Sequence, residues 1–224
     1  MKKQKPSIIK FKFSYFYFFI IVFIFFTIFN SCTNEKIKLE KKSFDLNYLP
    51  IFISPQQDYT KKNDIIGVSI SFIKDEENEK IIEYTILFKD EDHPNRFINF
   101  IYDLFRSFKY KRIIDTESFF IDYIKTPDGY WKVNYVDFPD DYGADQVYLE
   151  KNVKHFSLKI DGNSFEKKDN RVVIYINTWN HMFSNKDTNI NLEKVVIDNY
   201  ETYSGNRIEV EKQFNKNYKD KKKE

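Results

Sequence analysis

Along most of the chain, apolar and polar side chains alternate with a period of two, which predicts a protein built mainly from strands. Ile66, Val68, Ile70 and Phe72 point one way while Ser69 and Ser71 point the other. After the polar stretch Asp75-Glu76-Glu77-Asn78-Glu79 the alternation resumes at Ile82, Tyr84, Ile86 and Phe88, so the two runs predict a β-hairpin. Phe119, Ile121 and Tyr123 lead through Thr126-Pro127-Asp128-Gly129 to Trp131, Val133 and Tyr135, and proline second with glycine fourth matches a type I turn. Val153 to Ile160, closed by Asp161-Gly162-Asn163, and Arg171 to Thr178 are further strand runs. Lys194 to Tyr203 and Arg207 to Phe214 read as a second hairpin about Ser204-Gly205-Asn206, or as helix, because Leu192, Val195, Val196 and Tyr200 also have helical spacing.

The period changes clearly in one place. Behind Pro94, the residues Phe97, Ile101, Leu104, Phe105 and Phe108 recur at helical spacing, with Asn95, Arg96, Asn99, Asp103 and Arg106 on the other side. Asp90, Glu91 and Asp92 precede this segment and Lys109, Lys111 and Arg112 close it, charges that complement a helix dipole. The apolar stripe is expected to lie on a sheet. The implied fold class is α+β: a single domain of mostly antiparallel β-sheet with one long amphipathic helix packed on it. Phe44 to Tyr59, interrupted by Pro50 and Pro55, reads as an opening segment or edge strand.

The start of the chain follows another logic. Lys2, Lys3, Lys5, Lys10 and Lys12 precede an uncharged run from Phe13 to Phe29, a basic region followed by an apolar one. The run stops at Phe29-Asn30-Ser31-Cys32, and Cys32 is the sole cysteine. This short segment resembles the lipobox of bacterial lipoproteins, in which a small residue precedes a cysteine that is acylated on sulfur. The resemblance implies a signal peptide over residues 1–31, a lipidated N-terminus at Cys32 and a place in the cell envelope. The outer membrane is favoured, because Thr33 is not the aspartate that resembles an inner-membrane retention mark. An uncleaved inner-membrane signal anchor with an exported domain is the alternative. Residues 32–43 then form the lipidated end and a polar tether, 44–214 the folded domain, and 215–224 a Lys-rich flexible tail.

Charge and composition narrow the function. The full chain has 36 Lys+Arg against 34 Asp+Glu, but loss of the five signal lysines leaves the mature part mildly acidic, which argues against a nucleic-acid partner. A single cysteine excludes an internal disulfide framework and a Cys-rich zinc module. There is no H-E-x-x-H, G-x-S-x-G, P-loop or G-x-G-x-x-G motif, so no catalytic residue, metal or cofactor is expected. Asp187, Asn189 and Asn191 open like a calcium loop, yet Leu192 stands where such a loop needs glycine. Of the histidines, His93 reads as a capping or surface residue and His155 points outward from its strand.

Two segments carry the candidate binding surface. Asp137, Phe138, Asp140, Asp141, Tyr142 and Asp145 form an acidic and aromatic run expected in a loop, while Trp179 and His181 close an apolar strand. The expected partners are the membrane, through the lipid, and an envelope protein. The function class is therefore a lipid-anchored binding or interaction module. Alternatives are an inhibitor or immunity lipoprotein directed at an envelope-acting toxin, or an envelope hydrolase. The hydrolase requires a pocket holding a histidine or carboxylate of perturbed pKa.

Overall fold

The computed structural model describes residues 38–60, 63–110 and 113–214. In chain order these form β1 (Glu40–Lys41), β2 (Ile51–Pro55), α1 (Gln56–Thr60), β3 (Ile65–Asp75), β4 (Glu79–Phe88) and α2 (Arg96–Lys109). Then come β5 (Asp115–Lys125), β6 (Trp131–Tyr142), β7 (Phe156–Asp161), β8 (Lys167–Lys168), β9 (Arg171–Ile176) and β10 (Phe183–Ser184). The chain finishes with β11 (Lys194–Ile197), β12 (Thr202–Ser204) and α3 (Arg207–Phe214). The fold is α+β and mostly sheet. The segment read as a signal peptide, Cys32 and the Lys-rich tail lie outside the described residues. Among the described residues, no helix is long and apolar enough to cross a membrane.

The expected hairpin forms as β3 and β4, with Val68 opposite Ile86 and Ile70 opposite Tyr84. An antiparallel ladder continues from β4 through β5 and β6 to β7. The turn between β5 and β6 closes through Gly129 N donating to Thr126 O at 2.8 Å, and Gly129 takes φ +88°, where a Cβ would be strained. Antiparallel pairing does not hold throughout, however. The main path runs β1-β12-β3-β4-β5-β6-β10-β9-β2-β11, and β12 with β3, β10 with β6 and β2 with β9 are parallel. The sheet is therefore mixed. Short strands far apart in sequence fill its flanks, and local alternation says nothing about which neighbour such strands choose.

One face of the sheet carries an aromatic core. The Phe119 ring lies 5.1 Å from Phe183, 5.3 Å from Tyr84, 5.6 Å from Phe138 and 6.3 Å from Phe52, centroid to centroid, and all five side chains are buried. The other face is covered at one end by α3, whose Val210 and Phe214 pack on Leu87 together with Leu39, Ile66 and Ile114. Arg207–Phe214 is thus a helix, while Lys194–Ile197 is a strand, which resolves the two readings of this region. β1 also falls inside the segment read as tether: Glu40 pairs with Ser204 and Lys41 with Tyr203, so the fold begins earlier than Phe44.

The helix α2 corrects a second expectation. It forms where its spacing predicts, capped by the Asn95 side chain, which accepts from the backbone N–H groups of Phe97 and Ile98. Its facing is reversed. Phe97, Ile98, Ile101, Phe105 and Phe108 are exposed, Phe97 to 72 %, whereas Arg106 and Ser107 are buried. The polar side turns inward because Arg106 is needed there: its Nη1 donates to Asp90 Oδ1 at 3.0 Å. Leaving those carboxylates without their cation would cost several times what one partly covered ring returns. The helix does not lie on the sheet by its apolar stripe.

Candidate functional site

The inner face of β5 changes character along its length. Strand alternation puts Asp115 and Glu117 on the same face as Phe119 and Ile121, and the β4 partners are Phe88 for Asp115 and Ile86 for Glu117. The aromatic core therefore gives way, at one end, to half-buried acids.

Into that end projects His181. The β9–β10 connection is a tight loop in which His181 N donates to Thr178 O at 3.0 Å and Asn177 N to Met182 O at 3.0 Å. His181 sits at φ +62°, a conformation that L-residues adopt at a cost of about 1–2 kcal/mol and keep only where the surroundings impose it. The imidazole is fully buried and stacks on Phe88, with centroids 3.7 Å apart. Its Nδ1 lies 2.9 Å from Asp115 Oδ2, and its Nε2 lies 3.2 Å from Asp58 Oδ2, in ionic contact but outside hydrogen-bond geometry. Burial opposes the imidazolium, but the hydrogen bond to Asp115 and the close negative charges of Asp58 and Asp115 outweigh it and raise the pKa to about 10. His181 is thus a cation at neutral pH, shared between two carboxylates.

Next to it lies an open cleft of about 380 Å³ between α2, β5, α3 and the 151–155 segment. Its walls carry Glu91, Asp115 and Glu117 alongside Arg106 and Arg207, with Trp179 at one side. Burial raises Glu91, the Asp115 charge adds to this, and Arg106 opposes it. Burial likewise raises Glu117 well above the carboxylate range, reinforced by Asp115 and Asp141. Asp90, behind the wall, is pushed up to about 7 by burial against the pull of Arg106. Arg106 Nη2 is buried without a hydrogen-bond partner among the described residues. Such a guanidinium nitrogen can donate to an acceptor, and acids pushed toward their neutral form can donate beside it.

One atom each from Glu91, Asp115 and His181 lie within 4.8 Å of one another, a spacing compatible with a metal ion. The chemistry of the set argues against one. Both imidazole nitrogens already face carboxylates, and Arg106 supplies positive charge at the same place. A proton and a guanidinium do the neutralising that a cation would do.

The residues singled out in the sequence are dispersed. Trp179 lines the cleft and His181 is buried beside it: the Trp179 indole N–H donates to Glu150 O at 2.7 Å, and its ring meets His93 edge-on at 4.7 Å. Asp141 reaches the cleft's rear, where Oδ2 accepts from Ser118 N at 3.1 Å and lies 3.5 Å from Arg207 Nη1. It is buried, not displayed. Phe138 is wholly in the core and Tyr142 stacks on it at 5.8 Å. Asp137 is half-buried on β6, and Asp140 and Asp145 are exposed, the latter paired with Lys186. The expected loop from Asp137 is strand as far as Tyr142, because β7 and β10 pair with it. These six residues do not form one surface. The calcium-like loop is also structural: Asp187 Oδ2 holds Lys194 at 2.6 Å, and buried Asn189 holds Tyr148 N at 2.8 Å and Asn177 O at 2.8 Å.

Reasoning from sequence missed Glu91, Arg106, Asp115, Glu117 and Arg207. One signal was readable: Asp115 and Glu117 occupy the phase of Phe119 and Ile121, so acids stand at positions destined for the interior. A larger opening of about 590 Å³, lined by Tyr48, Tyr123, Tyr130, Trp131 and Lys132, lies at the other end of β5. It is lined by none of Glu91, Asp115 and Glu117.

No protein-family model matches the chain, and comparisons with curated proteins and with solved structures find no match either.

Proposed function

We propose that this is a lipid-anchored cell-envelope protein whose domain is a binding module, with the cleft beside Trp179 as its ligand site. The observation that carries the binding assignment is the convergence of Arg106 and Arg207 with Glu91, Asp115 and Glu117 on one open cleft. The two guanidinium groups offer donors to a polar ligand, and the aromatic wall offers contact area. The anchor rests on the basic start, the uncharged run and the sole cysteine at Cys32. Two experiments on the full chain test the reading. A fatty-acid analogue should label the wild type and not Cys32→Ala. A photoreactive residue replacing Asn152, at the cleft's lip, should trap a ligand in cells, and Arg207→Gln should abolish the adduct; no adduct in any variant refutes the cleft as ligand site.

A specific feature also favours hydrolysis as a second reading. Burial pushes the carboxyls of Glu117 and Glu91 upward in an open cleft, the direction a general acid requires. Glu117→Gln separates the two. A binding module keeps its adduct, whereas a hydrolase keeps the adduct and loses turnover of a peptidoglycan probe.

A further inference from the structure

The reversed helix leaves a stripe of large side chains facing outward. Phe97, Ile98, Ile101 and Phe105 are 72 %, 47 %, 48 % and 48 % exposed, and they share one side of α2. That is more apolar surface than scattered single residues require. The charges on this helix are sorted by side. Its acid, Asp103, is turned toward the fold, where Asn99 donates to it at 3.2 Å. Exposed Arg96 stands at the first turn and exposed Lys109 at the last, the latter with its ammonium 4.9 Å from the Phe105 centroid. Lys111 and Arg112 follow directly in the sequence.

The position of the helix adds a constraint. Leu39, at the start of the fold, packs in the same small cluster as Ile114 and Leu87, which lie on the two chain segments flanking α2. The chain from the N-terminus therefore enters the domain at the end that carries this helix. Cys32 precedes Leu39 by only seven residues, which span at most about 25 Å when extended.

We propose that α2 lays the stripe of Phe97, Ile98, Ile101 and Phe105 into the headgroup layer of an anionic phospholipid bilayer, a second membrane contact besides the N-terminus. Apolar rings sink about 5–10 Å into the headgroup boundary, and cations at both ends of the helix meet the lipid phosphates. The polar side of α2 stays engaged with the domain, so the helix need not turn over to bind. Docking by this face would also set the orientation of the cleft, because Tyr102 and Arg106 on the opposite side of the same helix line it. The inference rests on the anchored reading for proximity, and the two are measured separately.

The test uses the full chain reconstituted into vesicles of phosphatidylglycerol and phosphatidylethanolamine, with Ile101→Trp as the reporter. The added tryptophan should emit at shorter wavelength than in detergent-free buffer and lose intensity when brominated lipids are included. Both effects should weaken when phosphatidylcholine replaces the anionic lipid. A tryptophan quenched by aqueous iodide and untouched by brominated lipid overturns the proposal, whatever the state of Cys32. So does cross-linking of one chain to another through α2 with the reporter still unquenched, which would make a second copy the occupant. The mass of the N-terminal peptide from the same sample reports acylation independently.

Discussion

Around Phe119 the interior is made of rings; at the far end of the same strand, around Arg106 and His181, it is made of charges. The first region follows the usual rule that apolar groups leave water. The second inverts it, with Arg106, Glu91 and His181 buried while Phe97 and Ile101 face outward. Amphipathicity by itself does not say which side of a helix is inside. The facing is decided by whichever side has a partner whose abandonment costs more, and a paired guanidinium among buried acids outranks a row of phenyl rings. A buried charge network is a poor source of net stability, so its retention in one corner points to a role other than holding the fold together.

Cutting into the aromatic region should have the largest effect. Phe119→Ala opens a cavity among Tyr84, Phe52, Phe138 and Phe183 and should lower unfolding free energy by about 3–5 kcal/mol in denaturant titration. A loss under about 1 kcal/mol would mean that this core is loose and the contrast false. Next, Arg106→Met removes the cation that Asp90 and Glu91 face, and should cost about 3 kcal/mol at pH 8. The same variant should be penalised less at pH 5.5, where Asp90 is protonated in the folded chain. An equal penalty at both values would show that Arg106 acts by packing alone.

The charged region should also make stability fall as pH rises. Asp90 is raised from 3.8 to about 7, and His181 from 6.5 to about 10. Both bind protons more tightly folded than unfolded, so each contribution is complete below the ordinary value and is lost as pH climbs through the raised one. The melting temperature should decline across pH 4 to about 7 and again from 6.5 to about 10. His181→Asn, a residue that tolerates positive φ, should flatten the upper window only. Smallest of all, Phe105→Ala should change stability by less than about 1 kcal/mol, because the ring is 48 % exposed. A larger loss would restore the helix to the sheet.

The same contrast separates what was legible in the sequence from what was not. Where the interior is apolar, Ile82, Tyr84, Ile86 and Phe88 announced both their strand and the face they bury. In α2 the spacing announced a helix correctly, but its direction depended on Asp90 and Glu91, whose burial no local pattern records. Phe138 and Tyr142 looked like loop aromatics because β7 and β10, which cover and extend their strand, come from later in the chain. Asp115 and Glu117 are the exception: acids in step with Phe119 and Ile121 carry a local signal of the cleft, although the reading of the sequence passed over it. The parallel pairings of β2, β10 and β12 had no local trace, since each joins segments distant in sequence.

Strand β1 gives the domain a mechanical property. Any pull on the chain ahead of Lys38 reaches the fold through Glu40 and Lys41, which are held by two register pairs with Ser204 and Tyr203 and by Lys42 N donating to Thr202 O at 3.0 Å. Behind them stand ladders many residues long, such as β3 with β4. Tension from the N-terminus is therefore expected to peel β1 first and pay out a few residues of slack. The sheet beyond, with its aromatic core and its charged corner, would feel the load only after that short clasp has opened.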